Sequence, residues 1–298
     1  MEEATLDEPR DQMKEPPKQV VTPRAGRTLA WNQGEHSVTT STALVTGASS
    51  GIGLELAHLL AADGYHLVVV ARDAQRLREA AEELRAQHDV SVLGHPCDLS
   101  APGAANELWA ELADAGITVD VLINNAGAGL YGPLASQDLG ALGRMLELNV
   151  VTLTALTGLS LPGMLERRWG RILNVASVAA YQPGGPRMAA YYATKSYVLS
   201  FSKGLARELH GTGVSVSALC PGPTRTPFEE KSGAHDTRLY RWVPKLPAKA
   251  VARAGYHGLM RQSSVIIPGP VAKMLAVAGE LPPRRIALEV NRLLLGEA

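Results

Sequence analysis

The chain has 298 residues, 46% apolar and 19% charged, the balance of a soluble globular protein with a substantial core. Its 29 basic and 29 acidic residues cancel, so no excess basicity points to nucleic acid or to an anionic membrane. Two cysteines, Cys97 and Cys220, are too few for a disulfide framework and lack metal-ligand spacing, so they are expected as buried thiols in a reducing cytosol, and no metal site is expected.

Residues 1–40 are polar and proline-bearing without helical or strand period, and are expected to form a disordered extension. Their acids (Glu2, Glu3, Asp7, Glu8, Asp11, Glu15) argue against a transit peptide, and no signal-peptide apolar region precedes them. No run approaches the ~20 apolar residues that span a bilayer. A cytoplasmic location is the expectation.

From Thr42 onward short apolar runs alternate with longer amphipathic ones, the pattern of βαβ units around a parallel sheet. Strands are predicted at 43–45, 67–71, 90–93, 119–123, 171–175, 214–219 and 264–267. Helices are predicted at 52–63, 74–87, 139–165 and from Tyr191 to about Leu209. No linker or internal repeat interrupts the alternation. One doubly wound α/β domain over 41–270, with a helical tail over 271–298, is the economical reading.

The first strand runs into Thr46, Gly47, Ala48, Ser49, Ser50, Gly51, Ile52 and Gly53. Three glycines between a strand and a helix make a phosphate cradle: Gly47 permits the turn, Gly51 lets backbone approach a pyrophosphate, and Gly53 lets helix pack on strand. The helix N-terminus then meets the anion with free N–H groups. After the second strand stand Arg72 and Asp73. A guanidinium there suits the 2′-phosphate of NADP(H); Asp73 is the rival, since an acid can bind the ribose hydroxyls of NAD.

Of eight tyrosines only Tyr191 has a lysine four positions on, Lys195, one helical turn away. A phenol ordinarily holds its proton to pH ~10. An ammonium fixed nearby favours the phenolate and is expected to bring Tyr191 toward working pH. Ser177 precedes Tyr191 by 14 positions. Tyr192 and Tyr197 lack a lysine partner, and the scattered histidines carry no assigned chemistry.

Taken together, the 46–53 turn, Asp98 and Leu99, Asn124 to Gly127, Asn149, Ser177, Tyr191 with Lys195, and Pro221 with Gly222 resemble the short-chain dehydrogenase/reductase family in its single-domain branch. They stand in the family's order over roughly residues 40 to 270. The Ser177 to Tyr191 interval is one residue longer than the family's usual spacing, an addition that loop 181–186 can absorb. The resemblance implies a Rossmann-like sheet of about seven strands and an NADP(H)-dependent oxidoreductase that interconverts a carbonyl and an alcohol. It implies that Asp98 and Leu99 take the adenine, that Asn125 sits by the cofactor ribose, and that Ala126 and Gly127 keep backbone close. Pro221, Gly222, Thr224 and Thr226 would meet the nicotinamide half. Ser177 and Tyr191 would hold the substrate oxygen, Tyr191 would pass the proton, and Lys195 would hold the ribose and lower the tyrosine pKa. Asn149 would interrupt its helix and hold a water linking Lys195 to solvent. The family also implies a homo-dimer or homo-tetramer through the helices of Asn149 and Tyr191.

Loops 128–133 and 178–188 and the segment after Pro223 are expected to build the substrate site. The stretch 226–246, with Phe228, Tyr240 and Trp242, looks like a lid over an apolar pocket, favouring a hydrophobic ketone or alcohol. The tail could cap the substrate site, pack on a second subunit or rest on a membrane surface, and packing within its own chain is the preferred reading. The alternative to an enzyme is an NADP-binding redox sensor with little turnover.

Overall fold

The computed structural model describes residues 41–280 and 283–297; the extension expected over 1–40 lies outside the described residues. In chain order the elements are β1 (Thr42–Thr46), α1 (Gly51–Ala62), β2 (His66–Ala71), α2 (Ala74–Gln87), β3 (Val92–Pro96), α3 (Ala104–Asp114) and β4 (Val121–Asn124). Next come α4 (Leu139–Leu146), α5 (Leu153–Glu166), β5 (Gly170–Val175), α6 (Ala189–Glu208), β6 (Val214–Leu219) and the short β7 (Thr224–Arg225). The chain continues through α7 (Phe228–Lys231), α8 (Arg238–Trp242), β8 (Leu246–Pro247), α9 (Ala248–Met260), β9 (Val265–Ile266), α10 (Pro270–Glu280) and α11 (Arg284–Leu294).

Seven strands form one parallel sheet in the order β3-β2-β1-β4-β5-β6-β9. Covered on both faces, its strands are apolar on alternate residues of each side, which is why they read as continuous apolar runs. Val45, Leu67, Val69 and Ile123 pack on α1, α2 and α9. Leu44, Val68, Leu122 and Val216 pack on α3, α5 and α6. Strand order reverses between β1 and β4, and a crevice opens there beyond the strands' C-terminal ends.

Two departures from the expected boundaries stand out. The third strand begins at Val92 rather than Val90, because Val90 N–H turns back to the His88 carbonyl (3.0 Å). Its closing Pro96 is tolerated because β3 is an edge strand. The long helix expected over 139–165 is interrupted by a π-helical turn, Glu147–Thr152, between α4 and α5. Contrary to the expectation that no run could span a bilayer, the continuous helical stretch Leu139–Glu166 is long and apolar enough by length and composition. It nevertheless turns Leu153, Leu156, Thr157, Ser160 and Met164 into the domain interior. Two helices absent from the sequence reading, α3 and α9, complete the two helical layers.

Candidate active site

The turn between β1 and α1 is held by hydrogen bonds that cross the sheet. Thr46 Oγ1 accepts from the backbone N–H of Asn125 and of Ala126, both at 3.0 Å. Asn125 Nδ2 donates to the carbonyls of Thr46 (2.9 Å) and Gly47 (3.1 Å). Asn125 therefore also clasps the glycine turn, a role its motif does not announce. Gly47 has φ +66°, and a Cβ at Gly53 would lie 2.4 Å from both Asn125 Nδ2 and the Gly47 carbonyl oxygen. Gly53 thus packs directly on the turn that ends the first strand. No acid stands in the first turn of α1, and Ser50 provides no side-chain cap. The helix end keeps its N–H groups for an anion.

A cavity of about 630 Å³ runs from this turn along the strand ends. Ser49, Ser50, Gly51, Ile52, Arg72, Asp98, Leu99, Asn125, Ala126, Gly127, Pro221, Gly222, Thr224 and Thr226 line it together with Ser177, Tyr191 and Lys195. Gly53 and Asn149 stand behind the lining. Asp73 spends one carboxylate oxygen capping α2, accepting from Gln75 and Arg76 N–H at 3.1 Å each, and its other oxygen is 3.5 Å from Arg76 Nε. Arg72 remains exposed at the cavity edge. Burial raises the Asp98 pKa, but hydrogen bonds from Ser100 and the nearby Arg72 and Arg144 outweigh it, and the carboxyl falls below its ordinary value.

At the other end of the crevice Ser177 follows β5 and Tyr191 lies in the first turn of α6. Both side chains face the same cavity, and the Ser177 hydroxyl is placed to favour the Tyr191 phenolate. The longer interval between them is taken up in the 182–188 loop without separating the pair. Ser177 Oγ accepts from Ala179 N–H (3.1 Å), which leaves its own proton to donate. Lys195 Nζ donates to the Val175 carbonyl (2.8 Å) and sits 5.8 Å from the Tyr191 ring centroid.

The expected lowering of the tyrosine pKa is not what these groups produce. Burial pushes Tyr191 up to about 12, with only the Ser177 hydrogen bond pulling it down. Burial also pushes Lys195 down to about 8, against a small opposing effect of Cys220. Desolvation of the charged form is the leading cause for both groups, and the ammonium is turned toward the Val175 carbonyl.

Asn149 lies in the π turn and is buried. Its Oδ1 accepts from Ala128 N–H (2.9 Å), and its Nδ2 donates to the Ala128 carbonyl (2.8 Å) and Thr194 Oγ1 (3.1 Å). Both amide hydrogens are committed within the chain, so the side chain is a strut for the 128 loop rather than a donor to solvent. The expected interruption of the helix is present.

Beyond Tyr191 the cavity is apolar, with Leu130, Met145, Met188, Phe228, Leu239 and Tyr240 among its walls. The Phe228 ring centroid is 5.5 Å from that of Tyr191. Trp242, expected in the lid, is instead 62% exposed and lies under the Arg238 guanidinium. Tyr192 packs edge-on to Tyr191, and Tyr197 is on the outer surface, bonded to Thr154. Leu275, Asn291 and Leu294 of the tail also reach this cavity, which the sequence reading left as one of several possibilities.

A strand-turn-helix cradle leading to a serine, a tyrosine and a lysine around one crevice defines a nicotinamide-dependent oxidoreductase. The chain matches the short chain dehydrogenase family over residues 41–237. A putative ketoacyl reductase of Streptomyces coelicolor is 40% identical over 209 residues, which is 66% of this chain and 76% of that protein. A short-chain dehydrogenase from Sphingobium yanoikuyae, solved in complex with NADPH, is 33% identical with a TM-score of 0.72, covering 80% of this chain and 92% of that one. The bulky-bulky ketone specific alcohol dehydrogenase from Comamonas testosteroni is 30% identical with a TM-score of 0.67, covering 86% and 93%. The chain belongs to the short-chain dehydrogenase family, and is an oxidoreductase that acts on CH–OH groups with a nicotinamide cofactor.

Proposed function

We propose that this enzyme is an NADPH-dependent reductase of a bulky apolar ketone, with Tyr191 as its proton donor. The observation that carries the reading is the convergence of Ser177, Tyr191 and Lys195 on one cavity that is polar toward the glycine turn and apolar beyond the tyrosine. A bound nicotinamide supplies hydride to the carbonyl carbon. Around it the chain's own groups hold the substrate and move the proton. Tyr191, with its pKa pushed up to about 12, keeps its proton at neutral pH and is ready to give it to a carbonyl oxygen. Ser177, fixed by Ala179 N–H, donates to the same oxygen as negative charge grows there. Lys195, with its ammonium 5.8 Å from the Tyr191 ring centroid, would hold the cofactor ribose and offer positive charge to the phenolate that proton transfer leaves. Asn149 holds Ala128, and through it the neighbouring Gly127 backbone, against the cofactor path.

The glycine turn, the N-terminus of α1 and Asn125 would hold the pyrophosphate half; Asp98 and Leu99 would take the adenine; Pro221, Gly222, Thr224 and Thr226 would meet the nicotinamide half. Arg72 would bind the 2′-phosphate of NADPH. That choice is supported by the commitment of Asp73 to its helix cap and by the NADPH in the Sphingobium relative. The apolar walls support a hydrophobic substrate, as do a relative described as a ketoacyl reductase and one described as specific for bulky ketones. A homo-dimer or tetramer built on the outer faces of α5 and α6 completes the proposal.

The test is NADPH oxidation by purified protein with steroid, acyl, retinoid and simple aromatic ketones, parent against Tyr191→Phe. Loss of about 10²-fold or more in kcat is expected; a variant as fast as the parent would exclude Tyr191 as the donor. Arg72→Ala should weaken NADPH far more than NADH, and equal weakening of both would assign the enzyme to NAD.

A further inference from the structure

The tail of the chain is bonded to the substrate side of the cavity at several independent points. On α11, Leu288, Asn291 and Leu294 follow one another at helical spacing along one face, while Ile286, Val290 and Leu293 are 58%, 47% and 54% exposed on the other. The inner face meets the loop between Ser177 and Tyr191. Leu288 Cδ2 lies 3.2 Å from where a Cβ of Gly184 would stand. Asn291 is buried and donates through Nδ2 to the Gly184 carbonyl (2.7 Å) and to Gln182 Oε1 (3.3 Å). Gln182 Nε2 in turn donates to the Leu275 carbonyl of α10 (2.7 Å). Asn291, Leu294 and Leu275 all line the same cavity as Tyr191, and Leu295 belongs to the buried cluster that contains Tyr191, Met188 and Met145.

The end of the helix is fastened separately. Tyr131 Oη donates to the Leu295 carbonyl (2.7 Å). Arg187, with the left-handed φ of 65°, donates through Nη1 to Tyr131 Oη and to Glu297 Oε1, both at 3.0 Å. Arg238 of the lid helix α8 holds the Leu293 carbonyl (3.1 Å). Three segments that surround the reacting groups, at 131, 182–187 and 238, therefore each bind the tail.

Resting on the reductase reading above, we infer that α11 is the far wall of the substrate site, with Leu294 setting the size of the ketone accepted and Asn291 fixing the loop against which it lies. A leucine at the end of an apolar cavity discriminates by the space it fills, about tenfold or more for a change of a few methylenes. Asn291 is a positioning residue: it orders the main chain between Ser177 and Tyr191 by way of Gly184. The ligand class that this wall would sort is the series of apolar ketones differing in one chain's length.

The experiment measures kcat and KM with NADPH for phenyl ketones whose alkyl arm grows from methyl to hexyl. It uses the full chain, Leu294→Ala, Leu294→Trp, Asn291→Ala, and the outer-face control Val290→Ser. Leu294→Ala should shift the preference toward the hexyl ketone by about tenfold in kcat/KM relative to methyl, and Leu294→Trp should shift it about as far the other way. Asn291→Ala should raise KM across the series while NADPH affinity stays unchanged; Val290→Ser should keep the parent's profile. If both Leu294 variants are active and their profiles run parallel to the parent's, the wall is elsewhere and the inference falls while the reductase reading stands. If Leu294→Ala does not fold, Leu294→Trp alone decides by the same criterion. A parent that binds NADPH but reduces no ketone of the series or of the wider panel overturns the reductase reading, and the wall with it.

Discussion

Burying Lys195 beside Tyr191 moves both groups away from charge, and that shift is measurable as stability. The lysine falls from 10.5 to about 8 on folding, which corresponds to about 3 kcal/mol of destabilisation of the charged form. The sign follows from proton counting. Below pH 8 both folded and unfolded chains hold the proton and the full cost is present; between about 8 and 10.5 the unfolded chain binds more protons, so stability rises with pH. Denaturant unfolding of the parent and of Lys195→Met, compared from pH 7.5 to 10, should show the parent gaining on the variant by up to about 3 kcal/mol. Cys97, whose thiol burial pushes up to about 11, changes stability the opposite way over this range but does so in both proteins; Cys220, pushed up to about 12 and held down in part by Lys195, is replaced by alanine in both so that it does not enter the difference. A difference that stays flat would mean that the ammonium is solvated in the fold. The residue types and spacing of Ser177, Tyr191 and Lys195 were legible in the chain because their chemistry needs them in that order. Their protonation was not, since solvation depends on what packs over them, and the ammonium's turn toward Val175 is set by β5, not by its own helix.

Elements show where local pattern suffices and where it fails. The helix over 139–166 is apolar along its whole length, yet Asn149 opens a π turn by drawing the Ala128 N–H and carbonyl and Thr194 onto its side chain. Those partners lie 21 and 45 residues away, so no window on the helix contains the cause. Asn149→Ala leaves the half-buried N–H and carbonyl of Ala128 without these partners, while Thr194 Oγ1 keeps its bond to the Tyr191 carbonyl; the fold should lose about 1–3 kcal/mol, read as a lower denaturant midpoint with an unchanged slope. An effect within about 0.5 kcal/mol, the range of an ordinary surface change, would remove the strut. The cradle makes a second prediction. In Gly53→Ala the added methyl would lie 2.4 Å from the Gly47 carbonyl oxygen. The turn must open, so NADPH binding followed by fluorescence should weaken by at least about tenfold, about 1.4 kcal/mol, while far-UV circular dichroism is retained. Helix α9 escaped the sequence reading for a different reason. Its buried face, Val251, Ala252, Gly255, Tyr256 and Leu259, does recur at helical spacing, but it follows the aperiodic stretch 226–246 and reads as part of it.

At the scale of the whole molecule, the stretch Leu139–Glu166 is apolar on more sides than one domain can cover. A helix of that kind is buried in a larger core, spans a membrane, or meets another protein surface. Its interior face carries buried Asn149, Thr152, Thr157 and Ser160, polar groups already bonded within the domain, which fits a fold packed from that side. The opposite face leaves Val151 51% and Leu165 37% exposed, next to Tyr197 at 39% on α6. Tyr197 is stacked on Phe201 and bonded to Thr154, so the outer surfaces of α5 and α6 form one continuous patch. Exposed Gly158 and Gly204 leave room for another helix to approach. Sequence alone gives these apolar positions without separating those turned inward from those turned out; only the packing does so. If the proposed oligomer forms through this patch, a charge at its centre must be desolvated without a partner and should break it. Val151→Arg should sediment as a 31.6 kDa monomer where the parent sediments as a dimer or tetramer, with an unchanged circular dichroism spectrum. A parent that is itself monomeric at micromolar concentration, or a variant that assembles as the parent does, would place the partner surface elsewhere and leave the outer face of the long helix without an occupant.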